Sequence, residues 1–121
     1  MITDSGVRKM SVIKQRLRAC LATMNGASQN EQEVKFQEYI GIRLRQRRIE
    51  LGYTQTRIAN ALNCTFQQIQ KYEKATNGMS LVKFVKFLEY TNTDWSYFYR
   101  PLNKLGKKIY LNNNNNGGIN V

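Results

Sequence analysis

Hydrophobic residues recur at the period of an α-helix along most of the chain. Between Lys9 and Met24 they are spaced by one, three and four positions, which predicts a first amphipathic helix. The small and polar residues over 25–30 break this period and predict a linker. We therefore expect the first helix to be an appendage of the region that follows.

Turn residues divide the central region, from Val34 to Tyr99, into segments with helical periodicity and almost no alternating strand pattern. This pattern predicts a bundle of five short helices. The first runs from Glu33 to Leu51 and ends at Gly52, which can adopt the left-handed backbone that stops a helix. Its inward residues are expected to be Phe36, Ile40, Leu44 and Ile49, with Arg43, Arg45 and Arg47 mostly outward.

Serine and threonine residues mark where the other helices begin. Thr54 is a good N-cap for the second helix, and Thr65 opens the third with a capping-box partner at Gln68. Ser80 opens the fourth helix, and Thr93 or Asp94 opens the fifth. The inward residues are expected to be Ile58, Ala59 and Leu62 in the second helix and Ile69 and Tyr72 in the third. In the fourth helix they are expected to be Leu81, Phe84, Val85 and Leu88.

The C-terminal segment has a different composition. Pro101 ends the predicted helices, and lysines are followed by five asparagines and two glycines. Such a segment cannot bury enough apolar surface to offset the entropy of ordering. We therefore divide the chain into an N-terminal arm with one amphipathic helix and a linker (1–34), a helical domain (35–100) and a basic, Asn-rich flexible tail (101–121).

The charge of the chain favours an anionic partner. Lys and Arg number 19 and Asp and Glu number 8 in the 121 residues, a formal net charge of +11. This charge opposes the compact state unless an anionic partner such as nucleic acid or a membrane surface is available. No stretch approaches the roughly 18 apolar residues that cross a bilayer, and the N-terminus lacks the apolar core of a signal peptide. We expect a cytoplasmic protein with no membrane partner.

The chain lacks the residue types that most enzymes use. Its sequence contains no histidine, so the usual general base and the commonest zinc ligand are both missing. We therefore expect neither an enzymatic activity nor a metal or other cofactor. Cys20 and Cys64 are far apart in apolar surroundings, which indicates reduced, buried thiols rather than a disulfide.

The segment from Thr54 to Glu73 carries the main functional signal. Its two capped helices are separated only by the residues from Asn63 to Thr65, which is the spacing of a helix-turn-helix. Such a turn needs a small residue at Ala59, where the helices approach, and a residue that tolerates positive φ at Asn63. A two-helix hairpin without a DNA-binding role would meet the same requirements.

The region from Ile40 to Phe98 resembles the phage Cro/repressor type of helix-turn-helix, also called the XRE family. The segment from Thr65 to Lys74 looks especially like small regulators of alphaproteobacteria. The resemblance implies an all-α, lambda-repressor-like DNA-binding domain of five helices, here with an extra N-terminal helix and a disordered C-terminal tail. It rests on Ile40-Gly41, Arg43-Leu44-Arg45, Arg47-Arg48, Leu51-Gly52-Tyr53-Thr54-Gln55, Ile58-Ala59, Ile69, Lys71-Tyr72-Glu73 and Thr93-Asp94-Trp95.

Three positions depart from the family pattern. Asn63 and Cys64 replace the usual glycine and valine of the turn, and both changes are mild. Arg57 stands where the family commonly has glutamate. A positive charge near a helix N-terminus is expected to cost about a few tenths of a kcal/mol.

The resemblance also implies how the domain would dock on DNA. The base-reading residues of the third helix would be Phe66, Gln67, Gln68 and Lys71. Thr54 and Gln55, at the N-terminus of the second helix, would bind phosphate. Arg43, Lys74 and Asn77 are further phosphate-binding candidates, because the loop from Lys74 to Gly78 follows the third helix and is expected to expose backbone N–H groups beside Lys74. Arg48 and Glu73 would pair and hold the recognition helix at its docking angle.

Several of these residues could have a structural role that involves no contact with DNA. Phe66 could pack back as part of a hydrophobic cap, and the glutamines could form an ordinary solvated face. At least one arginine of the run from Arg43 to Arg48 is expected to lie on a solvated helix face. The aromatic residues are more consistent with a core or a dimer interface than with stacking on single-stranded bases; these are Tyr90, Trp95, Tyr97, Phe98 and Tyr99.

The function implied is a sequence-specific regulator of transcription that binds double-stranded DNA as a homodimer and acts as a repressor. Dimerisation is expected because one recognition helix contacts too few base pairs for useful specificity. The interface would be the fifth helix, the N-terminal helix or both. Two alternatives stay open: an antitoxin or adaptor that binds a protein partner through the N-terminal helix or the C-terminal tail, and a nucleic-acid or RNA binder driven by charge alone.

Overall fold

The computed structural model describes residues 4–24 and 28–101. Over these residues the protein is all-helical, which confirms the predicted fold class. The linker residues 25–27 and, apart from Pro101, the predicted tail lie outside the described residues. The helices are α1 (Asp4–Met24), α2 (Gln29–Glu50), α3 (Gln55–Ala61), α4 (Phe66–Glu73), α5 (Leu81–Tyr90) and a short α6 (96–101).

Polar side chains cap the helices at the predicted positions. The hydroxyl groups of Thr54, Thr65 and Ser80 each accept a hydrogen bond from the backbone N–H three residues later. The predicted beginning of the first bundle helix was four residues late, because Ser28 and Glu31 form a reciprocal capping box that starts α2 at Gln29. One continuous helix therefore crosses the boundary expected between residues 34 and 35.

Two hydrophobic clusters share α2. The cluster of the bundle contains Leu44, Ile58, Ala59, Leu62, Ile69, Phe87 and Phe98. The second cluster joins α1 to α2 and contains Ile13, Cys20, Met24, Tyr39 and Ile42. Ile40 packs against both clusters. The N-terminal helix is therefore packed along α2 through a core of its own.

Because α2 packs on both sides, its buried residues differ from the prediction. Phe36, expected inside, is 43% exposed, whereas Tyr39 and Ile42 are buried against α1. Arg43, expected outside, is only 9% exposed. Its guanidinium lies 3.6 Å from the centre of the Tyr97 ring and donates hydrogen bonds to the Tyr97 carbonyl. Arginines 45 and 47 are half-buried.

The inward face of α5 is also rotated from the predicted one. Leu81 and Val85 are exposed, Leu81 by 77%, while Phe87 is buried in the bundle beside Phe98. Phe87 is at the centre of the face that meets the other helices, because Phe98 of α6 packs against this face and closes the bundle. The sequence of α5 alone does not indicate this contact. The predicted aromatic cluster is split, with Phe98 buried and Tyr97 half-buried, and with Tyr90, Trp95 and Tyr99 exposed.

Candidate nucleic-acid interface

One face of α4 is open to solvent and the other is packed. Phe66, Gln67 and Lys71 are exposed, and Gln68 is half-buried. Ile69 and Glu73 are buried on the opposite side, which places the two faces as an amphipathic helix requires. The structure thus brings the predicted base-reading residues to one accessible side of the first two turns of α4.

The turn between α3 and α4 is tight and is held by its own backbone. Asn63 has a φ of 55°, as predicted, and the N–H of Cys64 donates to the Ala59 carbonyl at 3.0 Å. Lys83 on α5 donates to the Leu62 carbonyl and, at 3.4 Å, to the Asn63 carbonyl. A cation at this position satisfies carbonyl groups that the end of α3 leaves unpaired. Sequence reasoning missed Lys83, because this contact joins residues that are distant along the chain.

A bidentate ion pair joins α2 to α4. The Nε of Arg48 lies 2.6 Å from Oε2 of Glu73, and its Nη2 lies 3.0 Å from Oε1. Both side chains are mostly buried, at 12% and 5% exposure. The third donor of Arg48 bonds the Tyr53 carbonyl at 3.0 Å, and Gln55 donates to Oε1 of Glu73 at 3.2 Å. These contacts fix the end of α4 relative to the beginning of α3, since charged pairs in a mostly buried setting specify geometry.

Gly41 allows α4 to approach the backbone of α2. A Cβ at this position would lie 2.7 Å from the carbonyl oxygens of both Tyr72 and Glu73. Real side chains do not tolerate such a distance to rigid backbone atoms. The glycine therefore has a packing role that its position beside Ile40 in the sequence motif did not reveal.

The structure separates the predicted phosphate-binding residues into two groups. Thr54, Lys74 and Asn77 are exposed and Gln55 is half-buried, all near the ends of α3 and α4. Arg43 is instead buried under Tyr97, as described above, and its guanidinium is already occupied by the Tyr97 carbonyl and by Gln46. The expected outward position of Arg43 is therefore wrong, and we leave it out of the interface.

The loop after α4 offers fewer free backbone groups than expected. The N–H groups of residues 74–77 donate back to carbonyls of α4, at distances of 2.9 to 3.4 Å. This arrangement closes the C-terminal end of α4. Any contact between this loop and an anion must therefore come mainly from the side chains of Lys74 and Asn77.

Arg57, which departs from the family pattern, contacts two aromatic residues, Tyr53 before α3 and Tyr90 on α5. Its guanidinium lies 3.7 Å from the centre of the Tyr53 ring and donates to the Tyr90 hydroxyl at 2.8 Å. A cation over an aromatic face gains electrostatic energy that offsets an unfavourable position near a helix N-terminus. The substitution of glutamate by arginine thus links α3 to α5.

The described residues contain little that points to other chemistry. Cys20 is buried and Cys64 half-buried, both are free, and burial raises the pKa of each thiol. A raised thiol pKa disfavours the reactive thiolate. No group of His, Cys, Asp or Glu in the described ranges could hold a metal ion. Of the helices described, none is long and apolar enough to cross a bilayer.

Comparisons with known proteins agree with this geometry. The family model described as helix-turn-helix matches residues 44–98. An uncharacterized HTH-type transcriptional regulator of Sinorhizobium medicae is 39% identical over 61 residues, which cover 50% of this chain and 44% of the relative. One of Rickettsia conorii is 32% identical over 73 residues, which cover 60% of this chain and 58% of the relative. An uncharacterized transcriptional regulator in the ATPase CF(0) region of Rhodospirillum rubrum is 33% identical over 66 residues, covering 54% and 61%.

The chain spans about half the length of the curated relatives it matches. No solved structure matches it significantly. The family model covers the segment from α2 to α6 that holds the turn, the Arg48–Glu73 pair and the exposed face of α4. Residues 44–98 therefore match the helix-turn-helix family, and the relatives that align with this chain are themselves named as transcriptional regulators.

Proposed function

We propose that the protein is a sequence-specific transcriptional regulator that inserts α4 into the major groove of double-stranded DNA. The observation that carries this proposal is the exposed row of Phe66, Gln67 and Lys71 on a helix whose other face is locked to α2. Glutamine can bond N6 and N7 of adenine, and lysine can reach O6 or N7 of guanine. An exposed phenyl ring can contact the methyl group of thymine. Gln68 completes this set of base-reading residues.

Phosphate contacts would come from Thr54, Gln55, Lys74 and Asn77. Such contacts position a protein on the duplex and carry no sequence information. One amide donor of Gln55 is engaged with Glu73, so a phosphate bound by Gln55 would be connected to the residue that fixes α4. Binding of the backbone and orientation of the recognition helix would then depend on one network.

We further propose that the regulator acts as a homodimer. One recognition helix supplies too little discrimination, and two copies on a symmetric operator double the number of bases read. Exposed apolar side chains on α5 and near α6 support an interface there, and they are Leu81, Val82, Val85, Trp95 and Tyr99. We propose repression, because occupying DNA is enough to block access for other proteins. Such a regulator would act in the cytoplasm.

An adaptor or antitoxin role receives less support. That role would be favoured by an apolar stripe of α1 left open for a protein partner. Ile13, Cys20 and Met24 are instead buried against α2, while Val7 and Val12 are exposed singly. The apolar surface that α1 offers to a partner is accordingly small.

The test is selection of preferred sequences from a pool of random duplexes by the full-length protein, followed by a mass measurement of the complex. We expect a palindromic consensus bound by two copies. A pool that remains random after repeated rounds would contradict sequence-specific recognition, and a complex with one copy would contradict the homodimer.

A further inference from the structure

α1 runs antiparallel to α2 and shares a cleft with the C-terminal end of the recognition helix through Lys9 and Arg16. The Sγ of Cys20 donates to the carbonyl of Lys35 at 3.3 Å, which places the C-terminal half of α1 next to the beginning of α2. Further back along α1, Lys9 and Arg16 share a cleft with Arg45 near the end of α2. The side of α1 that carries Lys9 and Arg16 therefore forms one side of a cleft, and the other side is formed by α2, α3 and α4.

This cleft has a volume of about 690 Å³ and is strongly basic. Five of its lining residues are Lys or Arg and one is Glu. The single carboxylate, Glu73, is already bonded by Arg48 and Gln55. The ion pairs within the described ranges are Lys35–Glu38, Arg47–Glu50 and Arg48–Glu73.

Four cations of the cleft are consequently without a carboxylate within 4.0 Å in the described part of the chain, and these are Lys9, Arg16, Arg45 and Lys74. Like charges that converge in an open cleft repel one another unless an anion lies between them. Charges spread over two helices and a loop suit a row of phosphates better than one small ion. The floor of the cleft adds hydrogen-bonding groups from Thr54 and Gln70.

The cleft is continuous with the surface that we assign to DNA. Thr54, Gln55 and Lys74 belong to both, and Gln70 lies one residue before Lys71 on α4. If α4 enters the major groove as proposed, one backbone of the duplex would pass close to α1. The cations of the cleft that have no assigned role are Lys9, Arg16 and Arg45, and of these Lys9 and Arg16 are exposed.

We propose that α1 is part of the DNA interface and binds the phosphate backbone beside the bases that α4 reads, through Lys9 and Arg16. This proposal rests on the proposed function, since it extends the same binding surface. It assigns α1, which precedes the matched segment 44–98, a direct role in affinity and in the length of DNA covered. Its contribution is independent of base sequence.

The test compares two double variants of the full-length protein. Lys9→Ala/Arg16→Ala removes the two cations of the cleft wall. Lys14→Ala/Arg18→Ala removes the same charge from exposed positions of the same helix that do not line the cleft. Binding to a selected duplex with long flanks and to a random duplex is measured over a range of salt concentrations. Thermal unfolding followed by circular dichroism checks the fold. If α1 unfolds in the alanine variant, Lys9→Gln/Arg16→Gln replaces it.

We expect Lys9→Ala/Arg16→Ala to weaken binding about tenfold on both duplexes and to reduce the slope of log K against log salt by about 1 to 2. The preferred sequence should not change. Trimming the flanks of the selected duplex should weaken binding by the parent protein. It should have little further effect on binding by this variant. The control variant should lose clearly less affinity and should still respond to the trimming.

Equal losses in the two variants would overturn the proposal, because they would indicate an effect of net charge alone. Unchanged binding of Lys9→Ala/Arg16→Ala would also overturn it. Both outcomes leave the proposed function intact if the parent protein selects a consensus. A parent protein that binds no duplex selectively would instead refute the proposed function, and it would do so without any variant.

Discussion

The backbone of Gly41 lies directly against the carbonyl oxygen of Glu73, where a Cβ would approach to 2.7 Å. The same glutamate uses its carboxylate to bind Arg48. The end of α4 is thus fixed twice to α2, once through backbone contact and once through charge. This attachment sets the direction in which the exposed face of α4 points.

Gly41→Ala is expected to lower the free energy of unfolding by about 1 to 3 kcal/mol, since the new methyl group meets rigid backbone and α4 must move. Chemical denaturation measures the loss. Gly78→Ala is the matched control, because its nearest neighbour is the Gln37 amide at 3.7 Å, an ordinary contact. Equal stability of the two variants would show that α4 does not pack against α2 as described.

Glu73→Leu is expected to destabilise the protein by about 3 to 5 kcal/mol, because it leaves the mostly buried guanidinium of Arg48 without its partner. The double variant Arg48→Met/Glu73→Leu should recover much of this loss, since it removes both charges. Urea unfolding of the parent, single and double variants gives the coupling between the two sites. Additive losses would argue against the pair.

Gln67→Ala is expected to weaken binding to the selected operator while binding to random duplex changes little, because a base contact is worth about 1 to 3 kcal/mol only on the correct sequence. Asn77→Ala should weaken binding to both duplexes by a similar factor, as phosphate contacts do. Titrations of each variant with both duplexes distinguish the two roles. Parallel losses for Gln67→Ala would contradict its assignment as a base-reading residue.

Val85→Lys is expected to convert the proposed homodimer to a monomer, because it puts a charge into the exposed apolar surface of α5. Val12→Lys makes the same change on the exposed side of α1, and it tests the N-terminal helix, which is one of the two interfaces predicted from the sequence. Sedimentation of both variants over a range of concentrations reports the association. Dissociation by Val12→Lys alone would move the interface to α1.

The unfolding free energy is expected to fall as the pH rises from about 10 to about 12. Burial raises the pKa of Tyr39 from 10.0 to about 12, so the folded state holds a proton that the unfolded state releases in this range. Burial also raises the pKa of Tyr97, which adds to the same trend. Tyr39→Phe should have a shallower pH dependence than the parent protein, whereas identical slopes would contradict the burial of this hydroxyl.

The features that sequence alone predicted well are local ones. Thr54, Thr65 and Ser80 cap helices through bonds to N–H groups three residues away, and Gly52 and Asn63 adopt positive φ at the predicted turns. These preferences belong to the residue and its neighbours along the chain. Helix type and most helix beginnings were therefore available from the sequence.

What sequence missed depends on contacts between distant segments. The burial of Arg43 requires Tyr97 of α6, and the exposure of Phe36 follows from α1 covering Tyr39 and Ile42 instead. Hydrophobic period cannot tell which of two faces a neighbouring helix will cover when both faces carry apolar residues. In the candidate site, the hydrogen bond from Gln55 to Glu73 was not predicted, because it too joins residues that are distant along the chain.

The shared position of α2 makes the cooperative folding unit larger than the recognisable motif. A fragment limited to residues 44–98 would lack Tyr39, Ile42 and their partners on α1. It would also lack Gly41, where the backbone of α2 contacts α4. Deleting α1 alone would expose an apolar groove along α2 to solvent. The matched segment 44–98 is therefore shorter than the set of helices that share a hydrophobic core in this structure.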